Sequence, residues 1–258
     1  MVNSPVPWTL ARDAFSLERV TRGLSDTVAV VIPARDEATT IGGVLDAVQS
    51  HDSLIDELVV VNDHSSDDTA TVASHHGARV IHHTGARGKG AAMMAGIAAT
   101  ESSILVFLDA DVLNTGGDYV TRLLQPLVES STVQLVKGYY ERPFHAMPTG
   151  GGRVNELTAR PILSLLFPGL GEIRQPLAGE TAVRRSALES IVLDPNYGVE
   201  IALLIDVATM FGVQALAQVD LGIRRHRNRP LEELRPMAVH VLRAALERYK
   251  VDLADQSG

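Results

Sequence analysis

The first half of the chain alternates short runs of β-branched residues with stretches of helical periodicity. Buried strands are predicted at residues 28–32 (VAVVI), 57–62 (ELVVVN), 78–81 (ARVI) and 104–109 (ILVFLD), because continuous apolar runs of this length are typical of parallel strands covered on both faces. Between them, TTIGGVLDAVQS, DDTATVASHH and KGAAMMAGIAAT carry apolar residues at helical spacing. This alternation predicts an α/β fold whose ligands bind beyond the carboxyl ends of the strands.

The second half is less regular but still contains strand and helix patterns. The segments VQLVKGYY and VQALAQVDLGI are predicted strands, and GVEIALLIDVATMFG is a strongly apolar helix that ends at Gly212. A glycine-rich turn leads into a helix at GGGRVNELTARPILSLL, and LEELRPMAVHVLRAALERYK forms the last helix. Because no linker or repeat divides the chain, we predict one domain over residues 1–258, with a nucleotide-binding half at about 28–138 and a substrate half at about 139–258.

Composition narrows the class of protein. The 258 residues are 45% hydrophobic and 21% charged, which is typical of a globular protein. There is no cysteine, which excludes disulfides and thiolate metal ligands and fits a cytoplasmic location. Neither a signal peptide nor a membrane span is expected, because no apolar run approaches 18 residues. The net charge of -8 argues against broad nucleic-acid binding, so any anion site must be local.

Two carboxylates follow the fourth predicted strand. Asp109 and Asp111 stand two residues apart in VFLDADV, so an extended backbone directs both to one side. Hard oxygen ligands at an open sheet edge suit Mg²⁺ or Mn²⁺ holding a diphosphate. For a lone Asp-x-Asp pair a solvated turn is the more common explanation, and the position after the fourth strand favours a site.

Four further loops suggest anion binding or helix capping. In NDHSSDDT, Ser65, Ser66 or Asp67 is predicted to cap the next helix, and in GARGKG the glycines and Lys89 suit a phosphate. TGGGRVNEL places three glycines before Arg153 at a helix start, and LGIRRHRNRP sets four arginines around His226. Two anion sites beside a metal site indicate a two-substrate reaction with phosphate on both substrates.

Longer motifs resemble a known family. LVVVNDHSSDDT, RGKG, FLDADV, QLVKGYYERP, TGGGRVNELTARP, QPLAGE, YGVEIALLID and AQVDLGIRRHRNRPLEEL occur in this order. Together they resemble the glucosyl-3-phosphoglycerate synthases of actinobacteria, from about Val28 to the final helix. The resemblance implies a retaining glycosyltransferase of the GT-A fold, a Rossmann-like mixed sheet flanked by helices. It also implies UDP-glucose as donor, 3-phosphoglycerate as acceptor, Mg²⁺ or Mn²⁺, and a homodimer.

The same resemblance assigns residues to the donor and the metal. The residues implied to line the uridine site, with the last two close to the base, are Pro33, Ala34, Asp36, Glu37, Asn62 and Asp63. Those implied to contact the diphosphate or sugar are Lys89, Asp109, Ala110, Tyr197, Glu200 and Arg224. Asp111 and His226 are implied to ligate the metal. The implied catalytic group is Asp109, Asp111, Glu200, Arg224 and His226.

The acceptor residues follow from the resemblance too, with departures from the family. Gly152, Arg153, Asn155 and Asn228 are implied to bind 3-phosphoglycerate, although the family usually has Thr at the position of Asn155. The loop NDHSS replaces a smaller Asp-Ser-Gly type sequence, which leaves the donor base and sugar open. The chain also ends at VDLADQSG, where relatives usually carry a longer tail, so an intersubunit or lid role of that tail is not expected.

Two alternatives stay open on the sequence alone. The same fold can use GDP-mannose or another nucleotide sugar, as in a mannosyl-3-phosphoglycerate synthase, or glycerate as the acceptor. A remoter alternative is a non-catalytic module whose arginine loop contacts nucleic acid or an acidic partner. The net charge and the lack of aromatic residues interleaved with the arginines argue against this last possibility.

Overall fold

A computed structural model of the chain describes residues 7–50, 52–141, 152–225 and 231–249. These residues form one mixed sheet of eight strands in the order β1-β8-β6-β7-β5-β2-β3-β4. The strands are β1 (Trp8–Leu10), β2 (Val28–Ala34), β3 (Glu57–Asn62), β4 (Arg79–His82), β5 (Ile104–Phe107), β6 (Leu135–Glu141), β7 (Thr181–Arg184) and β8 (Leu216–Ile223).

Helices cover both faces of the sheet. The α-helices are α1 (Leu17–Gly23), α2 (Ile41–Gln49), α3 (Thr69–His75), α4 (Lys89–Ala98), α5 (Tyr119–Glu129), α6 (Arg160–Leu166), α7 (Arg185–Leu188), α8 (Val199–Phe211) and α9 (Leu231–Arg248). A π-helical turn, Asn155–Ala159, leads into α6. In the described part of the chain, no helix is both long and apolar enough to span a bilayer.

The four strands predicted in the first half are present and parallel. β2 lies between β3 and β5, and β3 pairs with β4. Along β2, Val30 and Ile32 belong to one buried cluster, whereas Ala29 and Val31 belong to the cluster on the opposite face. Burial on both faces explains why this run is apolar without alternation. β5 ends at Phe107, so Asp109 and Asp111 lie in the loop that follows it.

One strand of the second half was not predicted. β7 is only four residues long and runs antiparallel between β5 and β6. Its pattern, TAVR, is too short to distinguish from a buried turn or helix. The antiparallel direction matters for the site, because the chain enters β7 at the same edge of the sheet at which β5 ends. Residues 178–180 therefore lie beside the carboxylates of the β5 loop.

The remaining patterns of the second half agree closely with the structure. α8 is buried over its first two turns and ends before Gly212, whose φ of 82° is a backbone conformation that favours glycine. β8 pairs in parallel with β6 and with the edge strand β1, which contains Trp8. α9 packs against α8 and extends over the sheet edge where the loops after β2 and β5 meet.

Candidate active site

A cavity of about 420 Å³ opens at the carboxyl edge of the parallel strands. The predicted site residues that line it are Pro33, Ala34, Asp36, Glu37, Asp63, Lys89, Asp109, Ala110, Asp111, Gly152, Arg153, Asn155, Tyr197, Glu200 and Arg224. Asn62 is the one member within the described ranges that does not line this cavity. Its Oδ1 accepts a hydrogen bond from the Ser65 amide at 3.1 Å. His226 and Asn228 lie outside the described residues.

Five charged side chains that line the cavity are joined by consecutive ion pairs. Lys89 Nζ lies 2.5 Å from Glu200 Oε1 and 2.7 Å from Asp109 Oδ1. Arg224 Nη2 forms ion pairs with Asp109 Oδ2 at 2.8 Å and with Asp111 Oδ1 at 2.9 Å. Asp109 is thus held between two cations. The β5 loop and the end of β8 are also joined, because Arg225 N donates to Asn114 Oδ1 at 2.6 Å.

The pairing fixes the charge states of these groups. Burial alone would lower the pKa of Lys89, but the carboxylates of Asp109 and Glu200 outweigh it and raise that pKa. Burial would likewise raise the pKa of Asp109, and the neighbouring Lys89 and Arg224 instead hold it well below its usual range. Both groups of the central pair are therefore ionised at neutral pH.

Arg224 makes contacts that its motif did not reveal. Its Nη1 donates to the Tyr140 hydroxyl at 2.7 Å and to Glu180 at 2.9 Å, and its side chain is only 2% exposed. The resemblance gives Arg224 to the diphosphate, and that role stays a prediction. In the structure both terminal nitrogens bind protein carboxylates, so the side chain holds Asp109 and Asp111 in position.

The structure of the GARGKG loop contradicts the prediction that its backbone amides bind phosphate. Its glycines allow close approach of another part of the chain: a Cβ at Gly90 would lie 1.8 Å from the Asp194 carbonyl oxygen. Gly90 N donates to Asn196 O at 3.3 Å, and Ala91 N donates to Pro195 O at 2.9 Å. The interpretation of these amides as a phosphate cradle is therefore wrong. They bind the segment that leads into α8, which brings Glu200 to Lys89.

The loop after β2 is held by the loop after β3. Asp36 has a φ of 55°, and its Oδ1 accepts from the amide of Ser66 at 2.7 Å. This hydrogen bond is the largest cause that lowers the pKa of Asp36. Ser65 Oγ accepts from the Asp36 amide, so neither serine caps α3 as predicted. Asp67 does accept from the amide of Thr69, the first residue of α3, at 3.0 Å.

The acceptor residues lie where the π-helical turn begins. Gly152 has a φ of 78°, and Arg153 follows it at the cavity wall. Asn155 is buried, and its Nδ2 donates to Glu156 Oε1 at 2.9 Å and to Arg174 O at 3.3 Å. Its Oδ1 accepts from Leu177 N at 3.4 Å. The Asn155 amide thus connects this turn to the loop before β7.

Known glycosyltransferases resemble this chain in sequence. The model of a family described as glycosyl transferase family 2 matches residues 29–191. A glucosyl-3-phosphoglycerate synthase of Mycolicibacterium paratuberculosis is 44% identical over 256 residues, which cover 93% of this chain and 76% of the relative. The chain belongs to glycosyl transferase family 2.

Solved structures of related glycosyltransferases agree with the sheet described above. A glucosyl-3-phosphoglycerate synthase from Mycobacterium tuberculosis, in complex with Mn²⁺, UDP-glucose and phosphoglyceric acid, has a TM-score of 0.86 and 41% identity. The matched region covers 95% of this chain and 87% of the chain of that enzyme. Another complex of that enzyme, with Mn²⁺, UDP and glucosyl-3-phosphoglycerate, has a TM-score of 0.87 at 40% identity, covering 95% and 88%. The predicted family resemblance and the GT-A fold are confirmed.

Three buried side chains of this glycosyltransferase were given no role from the sequence. Glu180 and Tyr140 bind Arg224, and Lys137 lies behind them on β6. A lysine in the otherwise apolar strand VQLVKGYY and a glutamate just before an apolar run are unusual, because charged groups are rarely buried without a partner. These two charged residues in apolar surroundings were the signal in the sequence that could have indicated a buried polar site.

The described residues of this family 2 chain provide only part of a ligand set for a divalent cation. Those residues contain no group of three or more His, Asp or Glu that could hold a metal. Asp111 offers carboxylate oxygen at the cavity, and its side chain is 25% exposed. Oxygen of this kind suits Mg²⁺ or Mn²⁺. His226, the second predicted ligand, lies outside the described residues.

Proposed function

We propose that this chain transfers glucose from UDP-glucose to the 2-hydroxyl of 3-phosphoglycerate, with retention at the anomeric carbon. The observation that carries the proposal is one cavity that contains both the paired carboxylates after β5 and the Arg153–Asn155 wall. The related enzyme of M. tuberculosis binds Mn²⁺, UDP-glucose and phosphoglyceric acid in its solved complex, and it shares the fold of this chain.

Each end of the cavity serves one substrate in this proposal. The loop Pro33–Glu37 and Asp63 receive the uridine, and Lys89, Asp109, Glu200 and Tyr197 surround the glucose and diphosphate. Arg153 and Asn155 hold the phosphate and carboxylate of the acceptor. Asp111 and His226 would hold a divalent cation, which would neutralise charge on the diphosphate.

The chain's own residues orient the reaction. The acceptor 2-hydroxyl oxygen forms a bond to C1 of glucose while the bond from C1 to the UDP oxygen breaks, and both events occur on the same face of the sugar. The hydroxyl proton passes to the departing phosphate oxygen, so no enzymic nucleophile is required. The fixed ammonium of Lys89 stabilises the negative charge that develops on UDP, because it is preorganised by Asp109 and Glu200.

A calorimetric and product assay tests the proposal. UDP-glucose is titrated into protein with Mn²⁺, 3-phosphoglycerate is then added, and the product is identified by mass and by the anomeric coupling in its NMR spectrum. GDP-mannose replaces UDP-glucose in a parallel assay, and glycerate replaces 3-phosphoglycerate in another. Faster transfer from GDP-mannose or to glycerate, or an inverted product, would overturn the corresponding part of the proposal.

Two associated properties are also proposed. The resemblance to the synthase family suggests a homodimer, which light scattering at several protein concentrations would test. It also suggests a cytoplasmic enzyme, where nucleotide sugars and phosphorylated glycerates are available as substrates. Cell fractionation followed by detection of the chain would test this location.

A further inference from the structure

Lys137 is a buried cation that the proposed transfer reaction does not use. It lies on β6 and is 1% exposed, yet no carboxylate of the described residues is within ion-pair distance of its ammonium group. Nζ donates instead to the carbonyl oxygen of Ala178 at 2.5 Å and to Thr181 Oγ1 at 3.0 Å. A buried charge without a carboxylate partner is unfavourable for folding. The presence of a lysine at this position therefore calls for a functional explanation.

Both acceptors belong to the chain segment that enters β7. Residues 175–181, which we name the entry segment, run from the cavity wall at Gln175 and Leu177 to the first residue of β7. Ala178 N closes a turn onto Gln175 O at 3.0 Å, and Thr181 Oγ1 also bonds to Ala178 O at 3.3 Å. Lys137 thus holds the bend of the entry segment from beneath.

The entry segment contacts the donor side of the site in two places. Gly179 lies directly against Asp109: a Cβ there would be 1.9 Å from Asp109 Oδ1, so the backbone itself forms the wall behind that carboxylate. One residue later, Glu180 is fully buried and lies 2.8 Å from Arg224 Nη1. A shift of this bend would therefore move both Asp109 and Arg224.

The same segment also reaches the acceptor side. Leu177 N donates to Asn155 Oδ1, and Asn155 Nδ2 donates to Arg174 O immediately before the segment. Leu177 itself lines the cavity between these two sides. One short stretch of backbone therefore sets the separation between the carboxylates of the donor side and the amide of the acceptor side.

We propose that Lys137 is a positioning residue of the transfer reaction, whose ammonium group fixes the entry segment and through it Asp109, Arg224 and Asn155. The kinetic part of this proposal rests on the proposed function. Among the described residues, the Lys137 ammonium donates only to Ala178 O and Thr181 Oγ1, and Lys137 does not line the cavity, so we infer that it acts through the entry segment. Its removal misplaces the reacting groups, which affects catalysis more than it affects binding of the uridine end.

Substitutions at Thr181 and Lys137 test this role. Thr181→Val is isosteric and removes one acceptor of the Lys137 ammonium, whereas Thr181→Ser keeps the hydroxyl. We expect Thr181→Val to lower kcat/KM for transfer by about tenfold and Lys137→Met by about a hundredfold, because small misplacements are costly in catalysis. Thr181→Ser should retain activity within about twofold of the unsubstituted chain.

Binding of UDP with Mn²⁺, measured by calorimetry, separates positioning from general damage. We expect the affinity for UDP to fall by a much smaller factor than kcat/KM in each variant, because the Pro33–Glu37 loop that receives the uridine is held by the loop after β3. Gln125→Met is the matched control, since Gln125 is fully buried and polar but bonds to Ser16, Ala14 and Glu129, none of which lines the cavity. It should lose stability without losing kcat/KM.

Several results would overturn the role of Lys137. These are equal activity of Thr181→Val and Thr181→Ser, or a parallel loss of UDP binding and transfer in Lys137→Met. Failure of the unsubstituted chain to transfer glucose would instead overturn the proposed function. In that case the ratio of the Kd for UDP-glucose to the Kd for UDP measures the same displacement without turnover, and an unchanged ratio in Thr181→Val would refute the positioning role.

Discussion

The donor and acceptor sides of the cavity are held together by different forces. On the donor side, Lys89, Asp109 and Arg224 form ion pairs of 2.7 to 2.8 Å between loops that are distant in sequence. On the acceptor side, the amide of Asn155 donates to the Glu156 carboxylate at 2.9 Å and makes two longer hydrogen bonds of 3.3 and 3.4 Å to the backbone. Ion pairs between distant loops therefore hold the donor side, whereas hydrogen bonds of one neutral amide side chain hold the acceptor side.

This difference corresponds to what each side must do. A transferred sugar leaves a diphosphate, so preorganised charges on the donor side stabilise the charge that develops in the reaction. The acceptor side needs to orient a small anion, for which a guanidinium and an amide are sufficient. We accordingly expect substitutions on the donor side to affect both stability and kcat, and those on the acceptor side to affect mainly the KM of the acceptor.

Loss of Arg224 should have the largest effect. In Arg224→Met the carboxylates of Asp109, Asp111 and Glu180 face one another without their shared cation, so the free energy of unfolding should fall by about 3–5 kcal/mol. Transfer should slow by about 10²- to 10³-fold, as measured by UDP release. Arg225→Met is the control, because Arg225 is exposed in the same loop. Near-normal stability of Arg224→Met would contradict the electrostatic account of the donor side.

The pH dependence of stability should identify Lys137 as a buried cation beneath both sides. Burial lowers its pKa to about 8, while Glu200, Glu180 and Asp109 oppose this shift and Lys89 adds to it. Between about pH 8 and pH 10.5, the unfolded chain binds a proton at Lys137 that the folded chain has lost, so stability rises with pH in this window.

Comparison with Lys137→Met isolates that contribution from other titrating groups. The unfolding free energy of the unsubstituted chain, minus that of Lys137→Met, should increase by up to about 3 kcal/mol across the window, at about 1.4 kcal/mol per pKa unit. Urea unfolding at a series of pH values provides the measurement. A difference that does not vary with pH would show that the Lys137 pKa is not lowered by burial.

Arg153 should report on the acceptor alone. Arg153→Met should raise the KM for 3-phosphoglycerate by about tenfold to a hundredfold, because a hydrogen bond to a charged group contributes about 1.5–3 kcal/mol. UDP binding should be unchanged, and so should the slower turnover of glycerate, which has no phosphate. Arg160→Met is the control, because Arg160 lies one helical turn after Glu156, pairs with it, and does not line the cavity. Equal losses with both acceptors would refute a phosphate contact of Arg153.

The smallest expected effect is at Asn155. Thr, which the family resemblance implies at this position, cannot both donate to Arg174 O and accept from Leu177 N across the same span. Asn155→Thr should therefore raise the KM for 3-phosphoglycerate by about threefold to tenfold and lower the unfolding free energy by about 1 kcal/mol. Gln134→Thr provides a control outside the cavity, because the Gln134 amide donates only weakly to the nearby Ser131 and Thr132 carbonyl oxygens. A lower KM in Asn155→Thr would mean that the hydroxyl is the better acceptor contact.

Much of the donor side could be predicted because its groups follow strands directly. Asp109 and Asp111 come after β5, and the residues 33–37 come at the end of β2, so the direction of the parallel strands places both at one edge. The glycines of GARGKG were misinterpreted for a physical reason. Close backbone approach to a phosphate and close approach to Pro195 require the same small residue.

The sequence by itself determined the parallel strands, the loops that follow them and the family, because hydrophobic periodicity and local motifs act over short stretches of chain. Only the tertiary structure decided that Arg224 joins Asp109 to Glu180 and that Lys137 lies beneath the entry segment. These contacts depend on the antiparallel insertion of β7 between β5 and β6. A four-residue strand leaves too weak a pattern to reveal its neighbours, and its place in the sheet follows from packing of the whole chain.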